Sequence, residues 1–352
     1  MRASLLTLSI CLLTVPAQAQ YSGGTGTADD PYRIATAADL IALGETPDDY
    51  DKHFKLMADI DLSGHVYDRA VIAPDTNDVN YWFEGTPFAG VFDGNGHVVS
   101  HLNITGVSFL GLFGQVDIGA ELSNLRLEAV DVNGTGAYVG GLAGCNVGAI
   151  RTSCSAGTVR GEASVGGLVG SNGTFEYCAS SIEYCRSSGE VGGNDCVGGL
   201  VGWICDGRVT NSYSTSHVTG IVQAWIGGLI GFSGCDPSFE EIDNMAVRRV
   251  FHCYSTGPVN DHEASVGGGG LIGAGEGSVY VSTCFWDIET SDQTDSAGGT
   301  GKTTAEMQTA STFLDAGWDF IDETKNGTDD IWWILEGQDY PRLWWELSPD
   351  TD

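Results

Sequence analysis

Pairs of acidic side chains, or an acid beside a histidine, are the sets in this sequence that could act as a general acid and base. Two carboxyl groups a suitable distance apart can hydrolyse a glycosidic bond. With 47 acidic residues in 352, however, such pairs also arise by chance, and no Lys/Arg cluster accompanies them to hold an anionic sugar. The sequence therefore assigns no catalytic, cofactor-binding or metal-binding residue and leans against an enzyme. The candidate pairs are Asp93 with His97, Asp59 with Asp61, and Asp195 with Asp206.

The cysteines are the second set with chemical potential. Of ten, Cys11 lies near the N-terminus and the other nine lie between residues 145 and 284. They contain no C-x-x-C pair and no histidine spacing of a zinc site. In an oxidising compartment disulfides are the default, and an odd count leaves one thiol free or paired between chains. Connectivity stays open; the pairs closest in sequence are Cys145/Cys154, Cys178/Cys185, Cys196/Cys205 and Cys235/Cys253.

The first nineteen residues predict export. Arg2 is followed by an apolar stretch over residues 5–15 and by an A-x-A cleavage site at residues 17–19, the pattern of a signal peptide. No later segment is long and apolar enough to span a bilayer. We therefore expect a secreted or cell-surface protein.

The net charge of −32 excludes several classes of partner. Nucleic acids and anionic membrane surfaces both require clustered Lys and Arg. The acidity could also bind Ca²⁺ through carboxylates on successive turns, but neither an EF-hand loop nor a G-G-x-G-x-D array occurs. Solubility in a salty environment is the simpler account of the charge.

A short glycine–leucine motif recurs through the middle of the chain and indicates the architecture. Its leucines are spaced by 30, 26, 32, 29 and 42 residues, so the repeat contains one long insertion. The copies are centred on Leu112, Leu142, Leu168, Leu200, Leu229 and Leu271.

Short strands separated by turns at this interval predict a parallel β-solenoid, in which every strand pairs with its equivalents in the neighbouring coils. A second repeated element would then stack one column of small residues, namely Cys185, Ser212, Cys253 and Cys284. The 51 glycines suit this fold, because glycine adopts positive φ at sharp turns and lets neighbouring backbones approach closely.

The repeats resemble the GLUG family, named for a Gly-Leu-x-Gly core that appears at residues 141–144, 167–170 and 199–202. The resemblance covers roughly residues 85–290. It implies a bacterial, exported, right-handed solenoid of the kind found in adhesin-like surface proteins and in the non-catalytic part of some immunoglobulin A-cleaving metallopeptidases. Such a peptidase needs H-E-x-x-H, and the nearest match, His262-Glu263 within residues 262–266, lacks the second histidine.

The ends of the chain predict caps that cover the open edges of the solenoid. In residues 20–84, Thr36 can cap a short helix that stops at Gly44, and residues 54–62 alternate as a strand. In residues 291–352, Thr303 and Glu306 form a capping box. The Trp pairs at 332–333 and 344–345 predict a plug over the last coil, with a sugar-stacking platform as the alternative.

The sequence thus predicts an all-β parallel β-helix with a helix/strand cap and a Trp-rich cap: signal peptide 1–19, N-terminal cap 20–84, repeats 85–290 and C-terminal cap 291–352. The function favoured is a secreted, non-catalytic, adhesin-like protein that binds an extracellular glycan or surface protein. The alternatives are a polysaccharide lyase or hydrolase and a structural protein that self-assembles through an unpaired cysteine or the solenoid ends.

Overall fold

The computed structural model describes residues 20–174, 180–220, 225–234, 248–260, 267–276 and 279–347. The predicted signal peptide, Cys178, Cys235 and the residues around His262 lie outside these ranges.

The molecule is a parallel β-solenoid, as the sequence predicts. A complete repeat coil contributes strands to four sheets, which we number 1 to 4 in the order in which the chain visits them. Neighbouring strands within a sheet come from successive coils and pair in parallel, so that equivalent residues of the repeats lie side by side.

Sheets 1 and 2 hold most of the strands. Sheet 1 contains β1 (Tyr32–Ile34), β2 (His53–Leu56), β4 (Val91–Asp93), β8 (Glu121–Ser123), β12 (Ala149–Arg151), β16 (Ser181–Glu183), β20 (Arg208–Thr210), β25 (Arg248–Phe251) and β30 (Val279–Ser282). Sheet 2 contains β3 (Ile60–Asp61), β5 (Val98–Ser100), β6 (Asn103–Gly106), β9 (Arg126–Gly134), β13 (Cys154–Arg160), β17 (Arg186–Gly193), β21 (Tyr213–Ser214), β22 (His217–Gly220), β26 (Tyr254–Ser255), β27 (Val259–Asn260), β31 (Phe285–Asp287) and β32 (Thr300–Lys302).

Sheets 3 and 4 flank the glycine–leucine motif. Sheet 3 contains β10 (Ala137–Gly140), β14 (Ala163–Gly166), β18 (Asp195–Gly198), β23 (Trp225–Gly227) and β28 (Gly267–Gly269). Sheet 4 contains β7 (Phe113–Val116), β11 (Ala143–Asn146), β15 (Val169–Asn172), β19 (Val201–Ile204), β24 (Ile230–Ser233) and β29 (Ile272–Gly275).

The motif leucines form the centre of the core. All six are fully buried and belong to one continuous apolar cluster inside the coils. The glycines beside them are required by close approach between coils: a Cβ on Gly167 would overlap the carbonyl oxygen of Gly199, and one on Gly199 would overlap that of Gly228. These are the contacts for which the sequence predicts glycine.

Positive φ, the other expected role of glycine, is also found at a column of non-glycine corner residues. Between sheets 1 and 2 the corner position has φ between 47° and 58° in six successive coils. Its occupants are Asn124, Thr152, Tyr184, Asn211, His252 and Thr283. The expectation that glycine makes these turns is therefore wrong at this corner, where the stacked ladder holds a backbone conformation that L side chains adopt at some cost.

The predicted column of small residues is confirmed directly after this corner. The Cys185 N–H donates to Oγ of Ser212 (3.0 Å), and the Cys253 N–H donates to Sγ of Cys284 (3.4 Å). Ser153 occupies the same position one coil earlier, where its Oγ accepts the N–H of Leu125 (3.2 Å). A small polar side chain at this position thus satisfies a main-chain donor of the preceding coil.

The disulfides that the sequence predicts are not seen among the described cysteines, a set that leaves out Cys178 and Cys235. The sequence left the connectivity open, and each of the four pairs closest in sequence contains at least one cysteine that is a buried free thiol, so none of these four pairings is seen. Cys145 lies in sheet 4 whereas Cys154 lies in sheet 2, because residues near in sequence occupy different sides of a coil. The buried free thiols include Cys145, Cys154, Cys185, Cys196, Cys253 and Cys284.

The N-terminal part covers the first coils. Helix α1 (Ala37–Gly44) begins with the predicted Thr36 cap, which forms a capping box with Asp39. A 3₁₀ helix (Pro47–Asp49) follows. The strand expected over residues 54–62 is divided into β2 and β3 by a corner of the coil.

The C-terminal part divides into two segments that lie in different places on the solenoid. Residues near the last coil, including α2 (Ile288–Ser291) and β32, cover it: the Gly270 N–H donates to the Asp295 carbonyl (3.0 Å), and β32 pairs with β31. The remainder comprises α3 (Thr304–Met307), which has the predicted capping box, α4 (Ala310–Leu314), the antiparallel pair β33 (Trp332–Trp333) and β34 (Arg342–Leu343), and a 3₁₀ helix (Trp344–Glu346). This remainder packs against the side of sheet 2.

Candidate functional site

The outer surface of sheet 2 is divided lengthwise into two halves. The first half carries one column of outward residues in continuous register, and we call it the strapped column. It consists of Arg126, Cys154, Arg186, Tyr213, Tyr254 and Phe285. Large aromatic and cationic side chains predominate, so this half offers apolar surface that another element can cover.

Residues 304–347 cover the strapped column, and we call this segment the strap. Its apolar side chains, Met307, Phe313, Trp318, Trp332 and Leu343 among them, form a second buried cluster with the strapped column.

Polar contacts fix the strap near its middle and at its C-terminal end. The Trp318 Nε1–H donates to the Thr283 carbonyl (2.9 Å), and the Trp345 Nε1–H donates to that of Tyr184 (3.1 Å). Glu346 lies 2.9 Å from Nε of Arg186 and accepts a hydrogen bond from the Tyr213 hydroxyl (2.9 Å). The strap therefore runs across the coils instead of plugging the last one.

The second half of sheet 2 carries paired outward residues that are polar except for Gly192 and Pro258, and we call it the polar face. In six successive coils two outward positions flank one inward aliphatic residue that is at least 97% buried. The outward residues include Asn103, Thr105, Asp131, Asn133, Thr158, Arg160, Glu190, Gly192, His217, Thr219 and Asn260. All of them are half-buried or exposed.

The polar side chains contact one another along the face. Arg160 and Glu190 form an ion pair (Nη2–Oε2 2.7 Å) with both side chains more than half exposed. The Asn260 amide donates to Nε2 of His217 (2.5 Å). Because both pairs join neighbouring coils, they hold the side chains in fixed positions without removing them from solvent.

A cleft of about 300 Å³ opens in the middle of the polar face. Its floor includes Gly192, which stands in register between Arg160 and Thr219, and a Cβ there would make ordinary van der Waals contact with the Thr219 carbonyl oxygen (3.7 Å) and Cγ of Arg160 (4.0 Å). Glu190 and His217 are Cα partners on adjacent strands beside it. The cleft thus presents a carboxylate, an imidazole, a guanidinium and a hydroxyl at one opening.

The structure rearranges the acid pairs that the sequence offers as candidates. Nδ1 of His97 lies 3.0 Å from Oδ1 of Asp59, and Nδ1 of His101 lies 2.9 Å from Oδ1 of Asp61. The Val98 N–H and the His97 ring hold the pKa of the Asp59 carboxyl below its usual range. The two histidines therefore each pair with one acid, since adjacent coils bring residues about 40 positions apart into contact.

The other candidate acids have structural partners. Burial raises the pKa of Asp93, but hydrogen bonds from the Asn124 amide and the Asn95 N–H, with the Lys55 ion pair, outweigh it and lower the pKa. Asp195 accepts a contact from the Cys196 thiol (3.3 Å). Asp206 is buried and accepts the N–H of Gly207 (2.6 Å). These interactions stabilise corners and turns.

Sequence reasoning missed the polar face. The signal was present as a three-residue pattern of polar, aliphatic and polar residues, which begins 18 residues after the start of β7 in Asp131-Val132-Asn133 and 15 residues after the start of β11 in Thr158-Val159-Arg160. Aligning the repeats on the second repeated element would have placed these segments side by side, because Val191, Val218 and Val259 each lie six residues after Cys185, Ser212 and Cys253.

Among the described residues, which run from 20 to 347 with the gaps stated above, no helix is both long and apolar enough to cross a membrane. Within the same ranges, no three His, Cys, Asp or Glu side chains are grouped so as to hold a metal ion.

This fold and its repeats define a GLUG-bearing parallel β-solenoid. Residues 161–192 match the family model described as the GLUG motif, which confirms the resemblance seen in the sequence. They include β14, β15 and most of β17, together with the Gly-Leu-x-Gly core at 167–170.

Two relatives share sequence with this chain. Halomucin of Haloquadratum walsbyi is 36% identical over 153 residues, which is 42% of this chain and 2% of halomucin. A protein of Evansella cellulosilytica described as a Gly-rich membrane protein is 29% identical over 437 aligned residues, 94% of this chain and 47% of that protein. The chain thus spans a small part of the first and about half of the second.

A solved structure has the same fold. A protein from Bacteroides ovatus, described as a candidate immunoglobulin A1 protease, superimposes with a TM-score of 0.66 over 93% of this chain and 96% of that one, at 19% identity. At that identity the likeness concerns the fold.

Proposed function

We propose that this protein is an extracellular, non-catalytic binding protein whose polar face holds a glycan chain. The observation that carries the proposal is the contrast within sheet 2: the apolar column is covered by the strap, whereas the polar array across six coils is left open to solvent.

A glycan suits this face better than a protein does. Stable protein interfaces have an aromatic or aliphatic centre that becomes fully desolvated, and His217 is the one aromatic side chain among the outward residues named above for the polar face. Amide, hydroxyl and carboxylate groups repeated at about 4.8 Å match a hydroxyl-rich polymer that offers donors and acceptors at similar intervals. Several weak contacts along one chain then add to a useful affinity.

Export supports the extracellular setting. The predicted signal peptide, the strong negative charge and the names of the two relatives, one a mucin-like name and one a membrane protein, are all consistent with a surface or secreted protein. A surface location brings the polar face into contact with cell-wall or matrix polysaccharides.

The test is co-sedimentation of the signal-free protein with a panel of insoluble polysaccharides, with the supernatant analysed for released oligosaccharides. Arg160→Ala is the test variant and Arg33→Ala the matched control, because Arg33 is equally exposed and ion-paired but lies on β1 in sheet 1. We expect retention without product, and loss of retention only with Arg160→Ala. Equal retention of both variants would contradict the assignment to the polar face.

Polysaccharide cleavage is the second candidate, because Glu190 and His217 are register partners beside the cleft, with Arg160 one coil away. A carboxylate and an imidazole at such a position can transfer protons. Released oligosaccharide that disappears with Glu190→Gln would establish this activity and contradict the non-catalytic proposal.

A further inference from the structure

The loop of residues 75–84 projects from the N-terminal coils and carries apolar side chains at its tip. Phe83 anchors it to the solenoid by packing edge-on against the ring of Phe109, with centroids 5.4 Å apart. The tip residues face solvent, which is unusual for three large apolar side chains in so short a segment. They are Val79 and Tyr81, each 87% exposed, and Trp82, 64% exposed.

The base of the loop is closed around one carboxylate. The Glu84 N–H donates to Oδ1 of Asp75 (2.7 Å), and the Asn77 N–H approaches the same oxygen (3.5 Å). The Thr76 N–H donates to the Glu84 carbonyl (3.0 Å). Because both donors to Asp75 belong to the loop, this carboxylate faces the loop's interior.

The second oxygen of this carboxylate has no partner. Asp75 is 4% exposed, and its Oδ2 is buried without a hydrogen bond. Burying an anionic oxygen without compensation is costly, so such an atom in a native protein calls for a ligand, commonly an ion or a water.

Other oxygen ligands surround the same loop. The Glu84 carboxylate accepts hydrogen bonds from the side-chain amides of Asn77 (2.7 Å) and Asn80. A half-turn of the Asn80 amide would present its oxygen in place of its NH₂ group, and the same turn of Asn77 would exchange the hydrogen bond that its oxygen accepts from the Val79 N–H (3.2 Å) for a metal contact. Two carboxylates and two carboxamides within ten residues form the hard-oxygen set that Ca²⁺ prefers.

We propose that the 75–84 loop binds one calcium ion through Oδ2 of Asp75, with Glu84 and the amide oxygens of Asn77 and Asn80 completing the protein ligands. The ion satisfies the buried oxygen and draws the two sides of the loop together. It thereby fixes the position of the exposed tip that carries Tyr81 and Trp82. This site is separate from the polar face and does not depend on its function.

The test is titration of the signal-free protein with terbium, a luminescent substitute for calcium that Trp82 can sensitise. We expect saturable emission that Ca²⁺ displaces. Asp75→Asn should weaken the apparent affinity by about tenfold or more, because it removes the charged ligand. Asp78→Asn, the same change at an exposed aspartate of the same loop, should leave the affinity within about twofold.

A second readout separates metal binding from the emission itself. Trp82→Phe should lower the emission to the part that Tyr81 sensitises, while Ca²⁺ still raises the melting temperature, since ligand bound to the native state stabilises it. Equal titration of Asp75→Asn and wild type would overturn the proposal. Equal weakening by Asp75→Asn and Asp78→Asn would also overturn it, by showing a general charge effect. So would loss of binding with Asp319→Asn alone, which would move the ion to the C-terminal loop, where Asp319 Oδ1 is also buried without a partner.

Discussion

The two halves of sheet 2 are built from the same coils, yet their outward side chains leave one half buried and the other exposed to solvent. The strapped column presents tyrosine, phenylalanine and arginine and is buried under the strap. The polar face, a few residues further along the same strands, presents asparagine, threonine, aspartate and glutamate and stays open. Since the strands are the same, the difference arises from side-chain chemistry and not from the fold.

This comparison separates stability from binding within a single sheet. Aromatic residues buried by the strap contribute to folding through apolar area and packing. Exposed polar residues contribute little to stability, and their regular spacing is therefore available for ligand recognition. Mutations in the strapped column should accordingly change the free energy of unfolding, whereas mutations on the polar face should change ligand binding.

Trp318 gives the largest expected effect. Its ring is fully buried between Trp332 (4.6 Å) and Phe313 (4.9 Å). Trp318→Ala should lower the free energy of unfolding by about 3–5 kcal/mol, measured by urea denaturation. Thr158→Ala on the polar face should change it by less than about 0.5 kcal/mol. Comparable losses from the two variants would mean that the strap is not the stabilising partner of sheet 2.

Two glutamates permit a more closely matched comparison, because each is paired with an arginine across sheet 2. Glu346 is nearly buried beside Arg186 and Tyr213, whereas Glu190 and Arg160 are both exposed. Glu346→Gln should cost about 2 kcal/mol, since charged hydrogen bonds away from solvent are lost. Glu190→Gln should cost about 0.5 kcal/mol or less, as exposed ion pairs do. If both change stability equally in chemical denaturation, burial by the strap does not distinguish the halves.

Much of the solenoid could be predicted from the sequence because it follows from local, repeated patterns. The leucine motif, the column from Cys185 to Cys284 and the capping boxes at Thr36 and Thr303 all repeat known short-range rules. The strap could not be predicted in the same way. Its contacts, such as Trp345 with Tyr184, join residues 161 positions apart and have no periodic signal.

The sequence did not identify the partners of the candidate acids for a related reason. Asp93 and His97 are near in sequence, but one coil of separation brings Asp59 to His97 instead. The N-terminal coils lack clear copies of the leucine motif, so their register could not be read from the repeats. The polar face lies within the well-repeated region, but asparagine and threonine are common at turns and on surfaces and do not by themselves indicate a site.

His252 provides the smallest and most specific test of the strapped half, through pH. It occupies the corner position with φ of 50°, and its ring lies 5.7 Å from that of Trp318 in the strap. Burial lowers the pKa of His252 below its ordinary value of about 6.5. Between the two pKa values the unfolded chain binds a proton that the folded chain does not, so stability falls as pH decreases through about 6.5 and levels off below the folded pKa.

His252→Asn should remove this component while keeping the backbone, because Asn211 holds φ of 47° at the same corner one coil earlier. Urea denaturation of both proteins from pH 8 to pH 5 should give a free-energy difference that is constant above about pH 7 and moves in favour of the variant below about pH 6.5, on the order of 1 kcal/mol. A difference that stays constant across the whole range would show that the imidazole is equally accessible to protons in the folded and unfolded chains. In that case the strap does not shield the His252 imidazole from solvent, and His252 would belong to the open part of the surface and not to the part that the strap covers.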